Sequence, residues 1–190
     1  GDTLAEEIKR VDPEPTLVGY SMGGRLALHA LIAQPDLWKS AIIISAHPGL
    51  ADESERASRR ESDAKWSALS LKSEWSDFLQ QWNSQGVLDG DGELPNRNQL
   101  KSRRASIARS FVDWSLGAQD DLVPRFEKIT CPVSWLTGER DTKFTEIAKA
   151  AVPHLPLGQH HIFPDCGHRL PWEKPSEFTR HCVEFTGCKS

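Results

Sequence analysis

The chain has 190 residues, of which 38% are hydrophobic and 26% charged, and its formal net charge is −4. That length buries a core as one domain, and the composition is that of an ordinary globular protein. An acidic balance argues against nucleic acid as a partner, and the absence of any apolar run of about 18–20 residues argues against a membrane span.

In chain order, residues 3–10 read as an amphipathic helix with Leu4 and Ile8 four apart, broken by Asp12-Pro13-Glu14-Pro15. Thr16 to Tyr20 reads as a short buried strand. Gly23-Gly24 opens a helix through Ala33, with Leu26, Ala27, Ala30 and Leu31 on its apolar face, and Pro35 ends it. Ser40 to Ser45 is a continuous apolar run, the pattern of a parallel strand buried on both faces.

Residues 51–128 change character. They are charged, carry helical spacing at Trp66, Leu69, Trp75, Phe78, Leu79 and Trp82, and show no strand pattern. Gly86 to Pro95 reads as a turn-rich loop and Gln99 to Leu116 as another helix. The strand pattern resumes at Pro132 to Thr137 and is followed by the turn Gly138-Glu139-Arg140-Asp141. Thr145 to Val152 reads as a helix, His160 to Phe163 as a last short strand ending near Cys166-Gly167-His168, and Pro175 to Phe185 as a closing helix. Alternating strands and helices predict an α/β fold with a parallel sheet. Residues 1–50 and 129–190 would form that core and residues 51–128 a helical cap.

The four cysteines, Cys131, Cys166, Cys182 and Cys188, form no C-x-x-C pair and read as free thiols of a cytoplasmic protein, with Cys166 a packing residue. The start Gly1-Asp2-Thr3 shows no signal-peptide pattern.

Gly19-Tyr20-Ser21-Met22-Gly23 places a serine between a buried strand and a helix. A turn of that kind strains the serine backbone and sets its hydroxyl at a helix N-terminus, where amides and the helix dipole favour negative charge. The arrangement resembles the nucleophile elbow of the α/β-hydrolase fold, whose serine is followed in the chain by an acid and then a histidine. Asp141 and His168 lie beyond strand ends, where open α/β sheets build their sites. Asp120, Asp121 and Asp165 are the alternative acids. His29, His154, His160, His161 and His181 read as surface or packing residues, and His47 stands near a strand end with a less defined role.

Three stretches go further. Leu17 to Arg25, His47-Pro48-Gly49-Leu50 and Gly138-Glu139-Arg140-Asp141-Thr142-Lys143-Phe144 together resemble the 2-succinyl-6-hydroxy-2,4-cyclohexadiene-1-carboxylate synthase family of menaquinone biosynthesis. Glu55-Arg56 to Arg59, and Ser62-Asp63 before Trp66, resemble the entry to that family's cap. The resemblance implies an α/β-hydrolase fold used by a lyase. Ser21, His168 and Asp141 would remove a ring proton and eliminate pyruvate from 2-succinyl-5-enolpyruvyl-6-hydroxy-3-cyclohexene-1-carboxylate, with no metal or other cofactor. That substrate is a small polyanion, which suits arginine's planar fork. By position Arg25 and Arg59 match substrate arginines, a third falls at Arg104 or Arg103, Trp82 matches a cap tryptophan, and Tyr20, Met22 and Lys143 border the pocket. The plainer reading of each arginine is a solvated helix face.

The family also has strands and a His-Gly loop upstream of the elbow, and that loop supplies one oxyanion amide. Without it the amide of Met22 remains. The expectation is a fold lacking its N-terminal strands, an exposed sheet edge, and a separate chain or segment supplying the rest. The rival activities are a serine esterase or C–C-bond hydrolase with the same three residues, and an inactive hydrolase-fold binding module.

Overall fold

The computed structural model describes residues 2–88 and 96–187. Cys188 and most of the Gly86 to Pro95 loop lie outside the described residues. Two compact units are present, one of residues 1–48 with 122–190 and one of residues 49–121.

The first unit holds a four-stranded, all-parallel sheet in the order β1 (Thr16–Tyr20), β2 (Ser40–Ile44), β3 (Val133–Gly138), β4 (Gly158–Phe163). Chain order equals sheet order, so each strand packs beside its predecessor and every carboxyl end emerges at the same edge. The strands alternate with α1 (Asp2–Val11), α2 (Met22–Ala33), α6 (Thr142–Ala151), α7 (Leu170–Glu173) and α8 (Pro175–Thr186).

The period of two along the strands divides the core. Ala41, Ile43, Val133 and Trp135 join Ala27, Leu28 and Leu31 of α2 and Ala148 and Ala151 of α6 in one cluster. Ile42, Ile44 and Leu136 face the other way, onto Phe163, Cys166 and Leu170 with Phe178 and Phe185 of α8. The central strands β2 and β3 are buried at every position. This is the two-sided cover that a parallel sheet requires.

Two expectations need correction here. β1 is not a buried strand throughout, because Val18 is 52% exposed on the outer edge of the described sheet. The buried face of α2 is Ala27, Leu28, Leu31 and Ile32, while Leu26 and Ala30 are only half-buried. The helix starts at Met22, one residue before Gly23, and packs against the sheet through the stripe that includes Leu28 and Ile32.

The second unit is helical: α3 (Glu53–Lys72), α4 (Trp75–Asn83) and α5 (Arg104–Asp113). The Asp52 carboxylate accepts from the Glu55 amide at 2.9 Å and caps α3, and acidic residues fill its first turn. Trp66, Phe78, Trp82 and Phe111 interlock, with Trp82 centred 5.0 Å from Trp66 and 5.1 Å from Phe111. The continuous helix expected from Gln99 to Leu116 is broken into a 3-10 turn at Asn98–Arg103, α5, and a second 3-10 turn at Leu116–Ala118. Ser115 closes the break: its hydroxyl accepts from the Gly117 amide at 3.1 Å and donates to buried Asp63 at 2.8 Å. No helix of the described residues is long and apolar enough to cross a membrane.

Candidate active site

Four loops leave the carboxyl ends of the strands, and three of them carry the residues that meet. Ser21 follows β1, Asp141 follows β3 and His168 follows β4. Ser21 has φ 51° and ψ −112°, outside the regular regions, and is locked there by its amide donating to Ile44 O at 2.8 Å. Its carbonyl accepts from the Arg25 amide at 3.1 Å as the first turn of α2. Strain of this kind persists only where surrounding structure imposes it, and it tends to mark functional positions.

The turn is tight because Gly19 lies against α2. A Cβ on Gly19 would stand 2.6 Å from Gly23 O and 2.9 Å from the Ala27 Cβ, and one on Gly24 would stand 2.7 Å from the Ala46 Cβ. A Cβ on Gly23 would meet nothing within 4 Å. The crowding therefore falls on Gly19 and Gly24.

His168 Nδ1 lies 2.8 Å from Asp141 Oδ2, and both side chains are almost fully buried. A carboxylate only accepts, so Nδ1 carries the proton, and Nε2 of the neutral ring accepts the Ser21 hydroxyl at 3.2 Å. Phe144 packs 4.5 Å from the imidazole and Tyr20 5.5 Å from it, with Trp172 edge-on to Tyr20 at 5.1 Å. These rings hold the imidazole in place and surround it with apolar surface. The structure thus brings together Ser21, His168 and Asp141, with Tyr20 alongside. Asp165, by contrast, takes a positive φ of 49° and its amide donates to Glu139 Oε2 at 3.1 Å.

Arg25 is a buried residue of α2, one turn beyond Ser21. Met22 opens α2 and is 41% exposed, and exposed Lys143 sits in the first turn of α6 with Nζ 6.0 Å from the Phe144 ring centre. The remaining candidates belong to the helical unit. Arg59 places Nε 2.9 Å from each carboxylate oxygen of buried Asp63. Arg104 donates from Nε to Ser70 O at 2.9 Å and from Nη2 to Ser73 O at 2.6 Å, and lies 5.9 Å over the Trp75 ring. Arg103, its alternative, is exposed. Trp82 sits in the aromatic cluster already described.

Of the other histidines, His160 and His181 pack, while His154 and His161 are exposed. His160 Nε2 lies 2.8 Å from Thr137 Oγ1 and His181 Nε2 2.8 Å from Ser134 Oγ, and burial lowers both pKa values. Burial, then the neighbouring Glu173 charge, pushes the Cys166 thiol up to about 12, and burial raises Cys131 and Cys182, so these are protonated packing thiols. Among the described residues no group of three or more His, Cys, Asp or Glu side chains is placed to hold a metal ion.

Two residues at this edge carry no sequence signal. Ser45, just past β2, is fully buried at φ 44° with its hydroxyl unpartnered. Glu173 of α7 is a buried carboxylate whose acceptors are all directed at the loops holding the acid and base.

The profile of the alpha/beta hydrolase family matches residues 2–181. The chain belongs to the alpha/beta hydrolase family. Within it, the chain is similar to 2-succinyl-6-hydroxy-2,4-cyclohexadiene-1-carboxylate synthases. It is 35% identical to that of Pectobacterium atrosepticum over 89% of this chain and 67% of the relative. It is 33% identical to that of Citrobacter koseri over 84% of this chain and 63% of the relative. The chain spans about two thirds or less of the length of such relatives, 64% for one from Bacillus subtilis. Among solved alpha/beta hydrolase structures, MenH from S. aureus superposes with a TM-score of 0.83 at 27% identity, covering 98% of this chain and 74% of that one. An esterase from Exiguobacterium antarcticum shares the fold at 17% identity and a TM-score of 0.69, over 98% and 73% of the two chains.

Proposed function

We propose that this chain carries the catalytic serine, base and acid of a lyase that eliminates pyruvate from 2-succinyl-5-enolpyruvyl-6-hydroxy-3-cyclohexene-1-carboxylate, giving 2-succinyl-6-hydroxy-2,4-cyclohexadiene-1-carboxylate. The observation that carries the reading is the hydrogen-bonded series Ser21–His168–Asp141, set in a chain similar to synthases named for that product. Asp141 fixes the tautomer and orientation of His168 and stabilises the imidazolium once it forms. His168 takes the Ser21 proton, and the Ser21 oxygen, held at the N-terminus of α2, removes the ring proton. The electron pair left on the ring forms the new double bond, the C–O bond to the enolpyruvyl group breaks, and the released enolate takes up one proton to become pyruvate as His168 gives back the one it holds.

The substrate's carboxylates call for fixed cations, and Arg25, one turn from Ser21, is one of these. We further propose that a segment outside these 190 residues, on the same or another chain, pairs along β1 and contributes a second oxyanion amide. The share of the relatives matched and the 52% exposure of Val18 support that reading. Intact mass of the purified active species checks it, and activity from the 190 residues alone overturns it.

The deciding assay offers purified protein the enolpyruvyl substrate and, separately, short-chain nitrophenyl esters. Pyruvate release that vanishes in Ser21→Ala supports the lyase. Ester turnover without pyruvate supports a serine hydrolase on the same three residues, and a folded, full-length protein with neither activity is a binding module. Arg25→Ala is expected to slow pyruvate release far more than neutral-ester hydrolysis, and equal losses would make Arg25 structural.

A further inference from the structure

The acid and base stand on two separate loops, so their contact depends on what joins those loops. Part of the join is backbone: the Glu139 amide donates to Phe163 O at 2.9 Å and the Arg140 amide to Cys166 O at 2.8 Å. The Asp165 amide adds a bond to Glu139 Oε2 at 3.1 Å, and three further bonds converge on Glu173. Its Oε2 accepts from the Gly167 amide at 2.9 Å and from Arg140 Nη2 at 2.9 Å, while Oε1 accepts from the Arg169 amide at 3.1 Å. Gly167 and Arg169 are the two neighbours of His168, and Arg140 is the neighbour of Asp141. The Glu173 side chain is 2% exposed.

Burying a carboxylate is costly unless charge-assisted donors replace its water, and here three do. None of the proton transfers above uses this group. The position and direction of its bonds account for its presence: one carboxylate grips the backbone on both sides of the base and reaches the residue beside the acid. The Ser21–His168 separation of 3.2 Å is already at the long end for a hydrogen bond. A small rotation of the peptide planes beside His168 therefore takes Nε2 out of reach of the hydroxyl.

We infer that Glu173 is a positioning residue that sets the register of His168 between Ser21 and Asp141. The inference rests on the reading that those three side chains act together. Its test is chosen to be independent of the natural substrate: the second-order rate at which a fluorophosphonate labels Ser21, followed across pH, with the labelled peptide identified by mass.

In wild type the rate depends on His168 accepting the Ser21 proton. In Glu173→Gln, which loses the charge and confronts one donor with an amide, labelling is expected to slow at least tenfold. The midpoint of the pH profile should move as His168 loses its hold on Asp141. A folded Glu173→Gln protein with wild-type rate and midpoint overturns the inference, since a carboxylate that serves only stability changes the melting temperature and leaves both untouched. Should Glu173→Gln fail to fold, Arg140→Met, altered at a half-exposed side chain, carries the test. A severalfold slower rate at an unchanged melting temperature supports the positioning role, and an unchanged rate overturns it. A full-length wild-type protein that does not label at Ser21 overturns the reading of the three side chains and this role with it. Labelling without pyruvate release discards only the lyase.

Discussion

Asp141 and His168 share a 2.8 Å hydrogen bond in which neither side chain is more than 3% exposed. Water cannot substitute for either partner there, so the tautomer of the imidazole is set by one carboxylate. Asp141→Asn keeps the shape but presents an amide that can donate to Nδ1, which moves the ring proton to Nε2 and removes the acceptor from Ser21. Turnover is expected to fall by roughly 10⁴-fold with little change in KM, as for other serine–histidine–acid sites. Steady-state pyruvate release measures it. A loss below tenfold would show that Asp141 does not orient the base.

The glycines of the elbow are not equivalent. Gly19→Ala drives a methyl group into Gly23 O, the Gly24 Cα and the Ala27 Cβ, and overpacking of that kind costs about 1–3 kcal/mol. Gly23→Ala meets open space within a helix, where alanine is favoured by about 0.5–1 kcal/mol. Denaturant melts should move in opposite directions for the two variants.

Ser45 combines a positive φ of 44° with a buried, unpartnered hydroxyl. Glycine accepts that backbone at no steric cost, and removing the hydroxyl removes an unsatisfied polar group. Ser45→Gly is expected to stabilise the fold by about 1 kcal/mol after glycine's own entropy cost is counted. A lowered melting temperature would mean that the Ser45 hydroxyl has a partner in solution.

Two histidines make stability depend on pH. Burial lowers His160, with Lys149 and His161 adding to it against Glu146, and burial lowers His181, with His161 adding to it against Glu184. Both start from 6.5 in the unfolded chain. The unfolded state therefore binds protons first as pH falls, and stability present above 6.5 declines below it until the folded-state values are passed. His181→Gln should flatten part of that decline in melts taken between pH 7 and pH 5. An unchanged slope excludes His181 as a source.

Much of this architecture was readable from the chain. Ile42 to Ile44 announce a strand buried on both sides, Ser21 sits where a strand becomes a helix, and Asp141 and His168 each follow a strand, so the topology alone sends all three to one edge. Other features leave no local trace. Glu173 is a single acid in an ordinary helical stretch, and its meaning comes from donors that only the folded loops bring near. Leu28 and Ile32 replace Leu26 and Ala30 in the core because α2 is apolar on both of these neighbouring stripes, and only the packing onto the sheet selects one of them. The Gln99 to Leu116 helix breaks at a 3-10 turn and at Ser115, whose hydroxyl serves Gly117 and Asp63 instead of lying idle on a helix surface.

The grip of Arg104 on the Ser70 and Ser73 carbonyls makes it a fastener between the first turn of α5 and the end of α3. Lysine carries its donors on a single nitrogen and lacks the fork whose Nε and Nη2 reach the two carbonyls, so exchanging the two cations is no neutral control at this position. A screen for lost turnover would group Arg104 with Arg25, proposed above as a substrate cation, when its loss first unlaces two helices. Only measuring the unfolding of each variant beside its KM would tell a loosened hinge from an empty hand.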